Sequence, residues 1–392
     1  MQREPGQIIE TMLDGEEARA FVPAPLPPQD PPLTLDPTLT AQLDQANREL
    51  GRLELVAGLC QGAPWLSLGL VRVEAVASAR LAGARCTLAE LLAHEARDEL
   101  DQRQAARPDV QEAENHIEAL RFARNELDRG EGLPLSLRLL REVHARLLRR
   151  GRGEAGRPGE FREIAIPYRR ARRGSAPVLP PPPAEMHLGL ADLESYLHSD
   201  DGLAPLLRVA LLHGQVLLLH PFLDGNGRAA RLLLPLLLER WCGLVAPVLP
   251  LSRFLLEHRE EYYARLSAVR REGDWEGWIW FLLEAVITTA REAADIATSL
   301  LALLERDRER VLGANRGSLA AARLLQRLPE HPVIRVPAAA RLLQTSKPTA
   351  GKAVEVLQQL DILRETTGRR RDRCYEYRAL LDRLGRDDNE DL

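Results

Sequence analysis

Twelve residues, His220 to Arg231 (His-Pro-Phe-Leu-Asp-Gly-Asn-Gly-Arg-Ala-Ala-Arg), constrain this chain of 392 more than any other stretch. They set an imidazole, a carboxylate, two glycines around an amide, and two guanidinium groups between two strongly apolar runs. The first run, 203–219, reads as a buried helix. A second apolar helix is expected from Arg228, carrying Leu232, Leu233, Leu234, Leu236, Leu237 and Leu238. The polar cluster is thereby confined to a short turn between core helices, at the N-terminus of the second. A helix N-terminus presents unpaired N–H groups and a partial positive charge, which suits an anion. Gly225 and Gly227 let the backbone approach a ligand closely. Arg228 and Arg231, three apart on the first turn, share a face and can grip phosphate oxygens in forked geometry. Asn226 adds a phosphate-contacting amide. Asp224 supplies the kind of hard oxygen that Mg²⁺ bound to phosphates uses. His220 can act as a base near neutral pH. The combination predicts a di- or triphosphate cradle with a metal ligand and a general base.

The remaining composition narrows the setting. A chain of this length is expected to hold two or three domains. The N-terminus lacks a charged-then-apolar segment, so no signal peptide is expected. The apolar run before His220 is interrupted by Arg208, His213 and Gln215, which argues against a membrane span. Cys60, Cys86, Cys242 and Cys374 are scattered without zinc or disulfide spacing, as reduced thiols of a bacterial-type cytoplasm would be. A net charge of −4 gives no whole-chain attraction to nucleic acid.

Along the chain, residues 1 to about 37 are proline-rich and aperiodic, predicting an extended segment packed on a surface. Helical periodicity begins near Leu39, with further helices at about 68–80, 87–105, 110–129 and 135–149, and a glycine-rich loop at 151–159. From Phe161 to Leu179 the character changes. Ile164, Ile166 and Tyr168 alternate, Arg169–Ser175 turns, and Pro177-Val178-Leu179 leads out, predicting a short β-hairpin on a helical body. Helices return at 186–198, 203–219, 228–241, 252–271 and 274–312.

The twelve-residue stretch resembles the signature of Fic-domain proteins, His-x-Phe-x-Asp-Gly-Asn-Gly-Arg-x-x-Arg, at every fixed position. The N-terminal 37 residues, Gly159-Glu160-Phe161-Arg162, and the stretch Ser252–Phe281 with Arg259, Tyr262-Tyr263, Leu266, Gly273-Asp274-Trp275 and Trp278 add to it. Together they resemble the Fic subfamily with an N-terminal inhibitory helix and a C-terminal winged helix. That resemblance implies a mainly α fold: a helical core with a short hairpin flap, and a winged helix-turn-helix domain. The implied division is an N-terminal region at 1–110, a catalytic core at 111–312, a winged helix at 313–384 and an acidic tail at 385–392.

The resemblance also implies an activity, transfer of AMP from ATP to a Tyr, Thr or Ser hydroxyl of a protein, this chain itself included. Phosphates would lie over the 225–228 amides, with Arg231 on the γ-phosphate and Mg²⁺ on Asp224. His220 would take the hydroxyl proton, while Phe222 anchors the loop. The flap residues Ile164, Ala165 and Ile166 would line up the target segment. In the subfamily, a Ser/Thr-x-x-x-Glu-Gly/Asn pattern on the entering helix places a glutamate against the second motif arginine. Here Ser78 and Gly83 fit that frame, yet position 82 is alanine. By nature or by substitution, the chain therefore lacks what the resemblance implies to be the brake, and the carboxylate that removal of AMP would require. The other lone histidines, His116 and His144 among them, show no metal spacing and are assigned no role.

The last stretch reads independently as a winged helix-turn-helix: helices at 319–328, 336–343 and 348–360, then a hairpin of 362–365 with 375–378. Between 318 and 384 thirteen Lys/Arg face seven Asp/Glu, a surplus of six that suits phosphate contact. Base-reading side chains are few on the second helix of the motif (Lys347, Lys352, Gln358, Gln359), so DNA binding and contact with a protein target both stay open. The competing functional class is a nucleotide-sensing, DNA-binding regulator that uses the Fic body as a ligand domain. Retention of His220 favours the enzyme, since a sensor needs the cradle and not the base. The oligomeric state, a homodimer included, stays open as well.

Overall fold

The computed structural model describes residues 3–13, 15–59, 64–96, 107–166, 178–314, 319–369 and 372–385. The described chain is mainly helical. It runs β1 (Gly6–Leu13), β2 (Glu16–Pro23), α1 (Pro37–Leu59), α2 (Trp65–Leu81), α3 (Leu88–Glu95), α4 (Pro108–Asp128) and α5 (Leu137–Leu147). After a 3-10 turn at Glu154–Gly156 come β3 (Val178–Leu179), α6 (Pro183–His198), α7 (Pro205–Leu219), α8 (Asn226–Cys242), α9 (Leu251–Glu257) and α10 (Arg259–Glu272). The long α11 (Trp275–Gly313) is followed by α12 (Leu319–Leu325), β4 (Val333–Arg335), α13 (Val336–Leu343), α14 (Lys347–Gln359), β5 (Arg364–Glu365), β6 (Cys374–Glu376) and α15 (Arg378–Leu384). No described helix is long and apolar enough to cross a membrane. The chain divides into two compact units: residues 1–50, 115–247 and 251–289, and residues 51–114, 248–250 and 290–392.

In the first unit the core is built around α7 and α8. Pro205 opens α7, where its missing N–H costs nothing. From Leu206 to Leu219 every residue except Arg208 is buried, as expected of a helix apolar all round. Helix α8 starts two residues earlier than the leucine pattern suggested, at Asn226, and ends on a left-handed Gly243. Near its middle, Pro235 has no N–H to give the carbonyl of Arg231.

A three-stranded sheet, β1-β2-β3, covers the same unit, and it corrects two expectations. The N-terminal stretch is extended, but residues 6–23 form an antiparallel hairpin with Gly6 opposite Pro23 and Leu13 opposite Glu16. Its sequence signal was the Asp14-Gly15 dipeptide between two runs, a strong marker of tight hairpins. The hairpin expected over 164–179 is not self-paired among the described residues. Residues 164–166 carry no strand, and 167–177 lie outside the described residues. Val178 and Leu179 instead pair in parallel with Arg19 and Ala20, completing the open edge of β2. Ala20 and Phe21, on opposite faces of β2, are both fully buried. Arg3 ties the N-terminus down: its guanidinium makes a bidentate pair with Glu276 at 2.7 Å and donates to the Gly273 carbonyl at 2.8 Å.

In the second unit, α2 is buried at most positions and α3 carries a complete capping box between Thr87 and Glu90. The helix expected over 87–105 ends at Glu95, and 97–106 lie outside the described residues. Helices α12, α13 and α14 pack on one another beside a small sheet of order β4-β6-β5. The short β4 escaped sequence reading because three residues show no alternation. Tyr377 donates its hydroxyl to the buried Asp307 of α11 at 2.7 Å.

Candidate active site

The twelve-residue stretch lies wholly in the first unit, and the local backbone explains its shape. At His220 the chain leaves α7 in the left-handed region (φ 50°), with its N–H still donating to the Val216 carbonyl at 3.1 Å. A non-glycine residue in that conformation is uncommon and is held by its surroundings. At Gly225 the chain turns again (φ 77°) to enter α8. That position needs glycine twice over. An added Cβ would also stand 3.1 Å from His144 Nε2 and 3.0 Å from Leu148 Cδ2.

Inside the turn, Asn226 accepts the Phe222 N–H and donates to the Phe222 carbonyl, both at 2.8 Å. Its carboxamide thus helps to close the loop, and the residue is buried at the head of α8. Phe222 is fully buried and stacks on His144, ring centroids 3.6 Å apart and planes within 4°. Burying such a ring is worth about 2–3 kcal/mol, which makes it the anchor it was expected to be.

Asp224 uses Oδ1 to accept the Gly225 N–H at 2.7 Å, and its Oδ2 lies 3.7 Å from Arg228 Nη2. Gly225 has no side chain to cap α8, so the helix N-terminus carries no side-chain cap. Arg228 and Arg231 project from its first turns and are buried, at 6% and 2% exposure. Their charge is felt nearby: His116, pushed down to about 3, owes this first to burial and then to Arg231 and Arg228. One carboxylate beside a phosphate-binding backbone is a donor set Mg²⁺ uses when phosphate and water complete its shell. The residues fit an ion shared with a nucleotide. No group of three or more His, Cys, Asp or Glu able to hold a metal occurs among the described residues.

Two residues that carry this turn were not singled out for a role by sequence. Arg162, fully buried, donates its main-chain N–H to the Pro221 carbonyl at 2.9 Å and Nε to the His220 carbonyl at 2.8 Å. Its guanidinium also donates to the Ile164 carbonyl at 3.1 Å and to the Pro181 carbonyl. His144 receives the Gly159 N–H on Nδ1 at 2.9 Å, which leaves the proton on Nε2 to donate to the Asp224 carbonyl at 2.8 Å. Burial first, and Arg228 in addition, lower its pKa to about 4, so the ring is neutral. The Gly-Glu-Phe-Arg element pointed to Arg162. Nothing marks His144 in the sequence beyond its place on the apolar face of α5.

The other expected site residues are not all in this unit. Ile164 is exposed, and Ala165 and Ile166 are half-buried on the segment that follows Arg162. Ser78, Ala82 and Gly83 belong to the second unit. Ser78 is fully buried in α2, Ala82 closes that helix with its N–H on the Ser78 and Ala79 carbonyls, and Gly83 follows with φ 98°.

A helical body with this turn at a helix start that lacks a side-chain cap marks the class, and it was compared with known families. The Fic/DOC family model matches residues 134–238, and the Fic/DOC family N-terminal model matches residues 40–125. The chain carries a Fic/DOC family domain over residues 134–238, the stretch that holds the twelve-residue turn. Among curated relatives, protein adenylyltransferase fic-1 of Caenorhabditis briggsae is 35% identical over 166 residues, covering 42% of this chain and 30% of that protein. Protein adenylyltransferase Fic of Drosophila grimshawi is 31% identical over 159 residues, covering 40% of this chain and 30% of that protein. The matches thus span under a third of these relatives. A crystal structure of a Fic family protein from Desulfovibrio desulfuricans G20 superposes with a TM-score of 0.57 at 21% identity, covering 88% of this chain and 97% of that one. At that identity the likeness bears on fold alone.

Proposed function

We propose that this chain is a protein adenylyltransferase that moves AMP from ATP to a hydroxyl on a protein, releasing pyrophosphate. The observation that carries this reading is the turn itself. A left-handed His220 precedes an uncapped helix start that bears Asp224, Gly225, Gly227, Arg228 and Arg231. The names of the relatives support the same activity. In the reaction, the target oxygen attacks the α-phosphorus, the bond to the β-phosphate oxygen breaks, and the hydroxyl proton passes to His220. Backbone N–H groups at the head of α8, with Arg228 and Arg231, stabilise the developing charge, commonly the largest catalytic contribution. Asp224 would hold Mg²⁺, which supplies charge neutralisation for the pyrophosphate. His144 and Arg162 keep the loop in shape. Ile164, Ala165 and Ile166 dock the target segment. The test is labelling of lysate proteins by the full chain with ATP carrying label on either the α- or the γ-phosphate. Transfer of α-label alone supports the reading, and transfer of γ-label overturns it.

Position 82 bears on control. With alanine there, the enzyme lacks the carboxylate by which similar proteins are held inactive, and Ala82→Glu is expected to slow labelling by orders of magnitude. A variant that labels as fast as the parent would put control elsewhere. For residues 319–384 we infer a winged helix-turn-helix, supported by the order α12-β4-α13-α14-β5-β6 and by the packing of the three helices. Its exposed cations, Lys347, Lys352, Arg364, Arg369 and Arg373, make DNA the partner to test against a protein surface.

A further inference from the structure

Arg231 sits at the end of a buried chain of polar groups that the reaction scheme does not use. Its guanidinium lies against the Tyr262 hydroxyl, close enough to draw the phenol's pKa down against the effect of burial. The same hydroxyl lies 2.9 Å from His213 Nε2, and His213 Nδ1 lies 3.1 Å from the Ala230 carbonyl. All of these side chains are at most 2% exposed.

The polarity of this chain is forced by what each group can offer. A carbonyl only accepts, so His213 Nδ1 must carry a proton and donate to Ala230. Burial, with Arg231 adding to it, lowers the His213 pKa to about 3, so the ring is neutral and Nε2 is a bare acceptor. The Tyr262 O–H therefore donates to His213. Burial raises the Tyr262 pKa, so the phenol keeps this proton, and its oxygen faces Arg231, which can only donate. Each group has a single admissible role. The chain starts on Arg231 of α8 and closes on Ala230, the preceding residue of the same helix.

The rings are clamped as well as bonded. His213 and Trp278 stack with centroids 5.8 Å apart and planes within 12°, and Tyr262 lies 5.7 Å from Trp278. Trp278 is fixed in turn by donating Nε1 to the Ala210 carbonyl at 2.8 Å. Gly214 admits the ring: an added Cβ would stand 2.9 Å from Trp278 Nε1.

We propose that Tyr262 and His213 are positioning residues that aim the Arg231 guanidinium at the γ-phosphate of ATP. This rests on the proposed transferase reading, with Arg231 on the γ-phosphate as the family resemblance implies. A buried guanidinium that had to find its orientation on binding would lose rotamer entropy then; one held by a neutral phenol has lost it in folding.

The experiment compares ATP with ADP binding to the full chain by calorimetry, with thermal melts in parallel. Wild-type protein is expected to prefer ATP, and Arg231→Ala to erase the preference. If wild type has none, or Arg231→Ala keeps it, the γ-phosphate reading of Arg231 fails, and the inference with it. If both behave as expected, Tyr262→Phe decides. It keeps the ring and removes only the hydroxyl, so ATP should weaken about tenfold or more, as loss of a hydrogen bond to a charged group does, while ADP stays within about twofold. Equal weakening of both nucleotides, or an intact preference, overturns the inference. Should Tyr262→Phe not fold, His213→Gln and His213→Leu carry the same test. Glutamine can still accept from Tyr262 and should retain preference that leucine loses; equal behaviour of the two again overturns it.

Discussion

Two turns of this molecule solve one backbone problem and end differently. Helix α7 gives way to α8 through His220, and α13 gives way to α14 through Gln344. Both residues are non-glycine and left-handed, at φ 50° and 52°. Both give their N–H to carbonyls of the helix just left. The difference lies at the start of the next helix. Ser346 caps α14 by accepting the Thr349 N–H, whereas Gly225 leaves α8 without a side-chain cap. Around the α13–α14 turn, Gln344, Ser346 and Lys347 are exposed; around the α7–α8 turn, Phe222, Asn226 and Arg162 are buried and hydrogen-bonded or stacked. A closed helix start with solvated neighbours makes a connection. An open one, gripped from behind by buried polar side chains, is what the proposed phosphate site requires.

The sharpest way to break the comparison is His220→Ala. Removal of the proposed base should cut transfer roughly a thousandfold, within the span usual for general base catalysis, while ATP affinity is largely kept, since the phosphate contacts lie on α8. Single-turnover labelling with a parallel binding isotherm checks both. A variant that labels at the parent rate would reduce His220 to a cap like Gln344.

Next in size is Arg162→Met, which tests the grip from behind. The change withdraws the guanidinium donor from the His220 and Pro181 carbonyls. Each buried acceptor left unpaired costs about 1–3 kcal/mol, so chemical denaturation should show a loss of several kcal/mol along with lost transfer. Full stability with full activity would mean the turn holds itself.

How much of this could be read beforehand follows from where each determinant sits. The motif, α7 and α13 are written in consecutive residues, and local pattern finds them. The contacts that shape the site are not local. Arg162 reaches His220, His144 reaches Asp224, and His213 reaches Tyr262, pairs far apart in sequence whose single residues look like ordinary core or surface. The parallel pairing of β3 with β2 joins Val178 to Arg19, beyond the reach of any hairpin rule. The break between α9 and α10 at His258 has no glycine or proline to announce it, so 252–271 read as one helix. The Asp14-Gly15 signal, by contrast, was legible and outweighed by the prolines around it.

A third, smaller effect is set by pH. His116 and His213 are held near 3 by burial and by Arg231, below the usual 6.5. Between these values the unfolded chain binds more protons than the folded one, so stability rises with pH. The neutral-histidine contribution is complete above about 6.5 and is withdrawn as pH falls toward 3, at up to about 1.4 kcal/mol per pH unit for each ring. Denaturation midpoints across pH 7 to 4 should fall for wild type. They should fall less steeply for His213→Gln, which cannot take up a proton, and an identical slope would remove His213 from the account.

The smallest effect probes the second turn alone. A non-glycine residue in the left-handed region costs roughly 1–2 kcal/mol, and glycine there is relieved of that while bringing about 0.5–1 kcal/mol of extra unfolded-state entropy. The Gln344 side chain is exposed, so Gln344→Gly has little packing to lose. The net should be a gain of about 0.5–1 kcal/mol, seen as a raised denaturation midpoint with labelling unchanged. His220→Gly relaxes the same backbone angle, yet labelling should collapse because the imidazole goes with it. If Gln344→Gly destabilises instead, the side chain and not the cap geometry secures the α13–α14 turn, and the two turns are less alike than their dihedral angles.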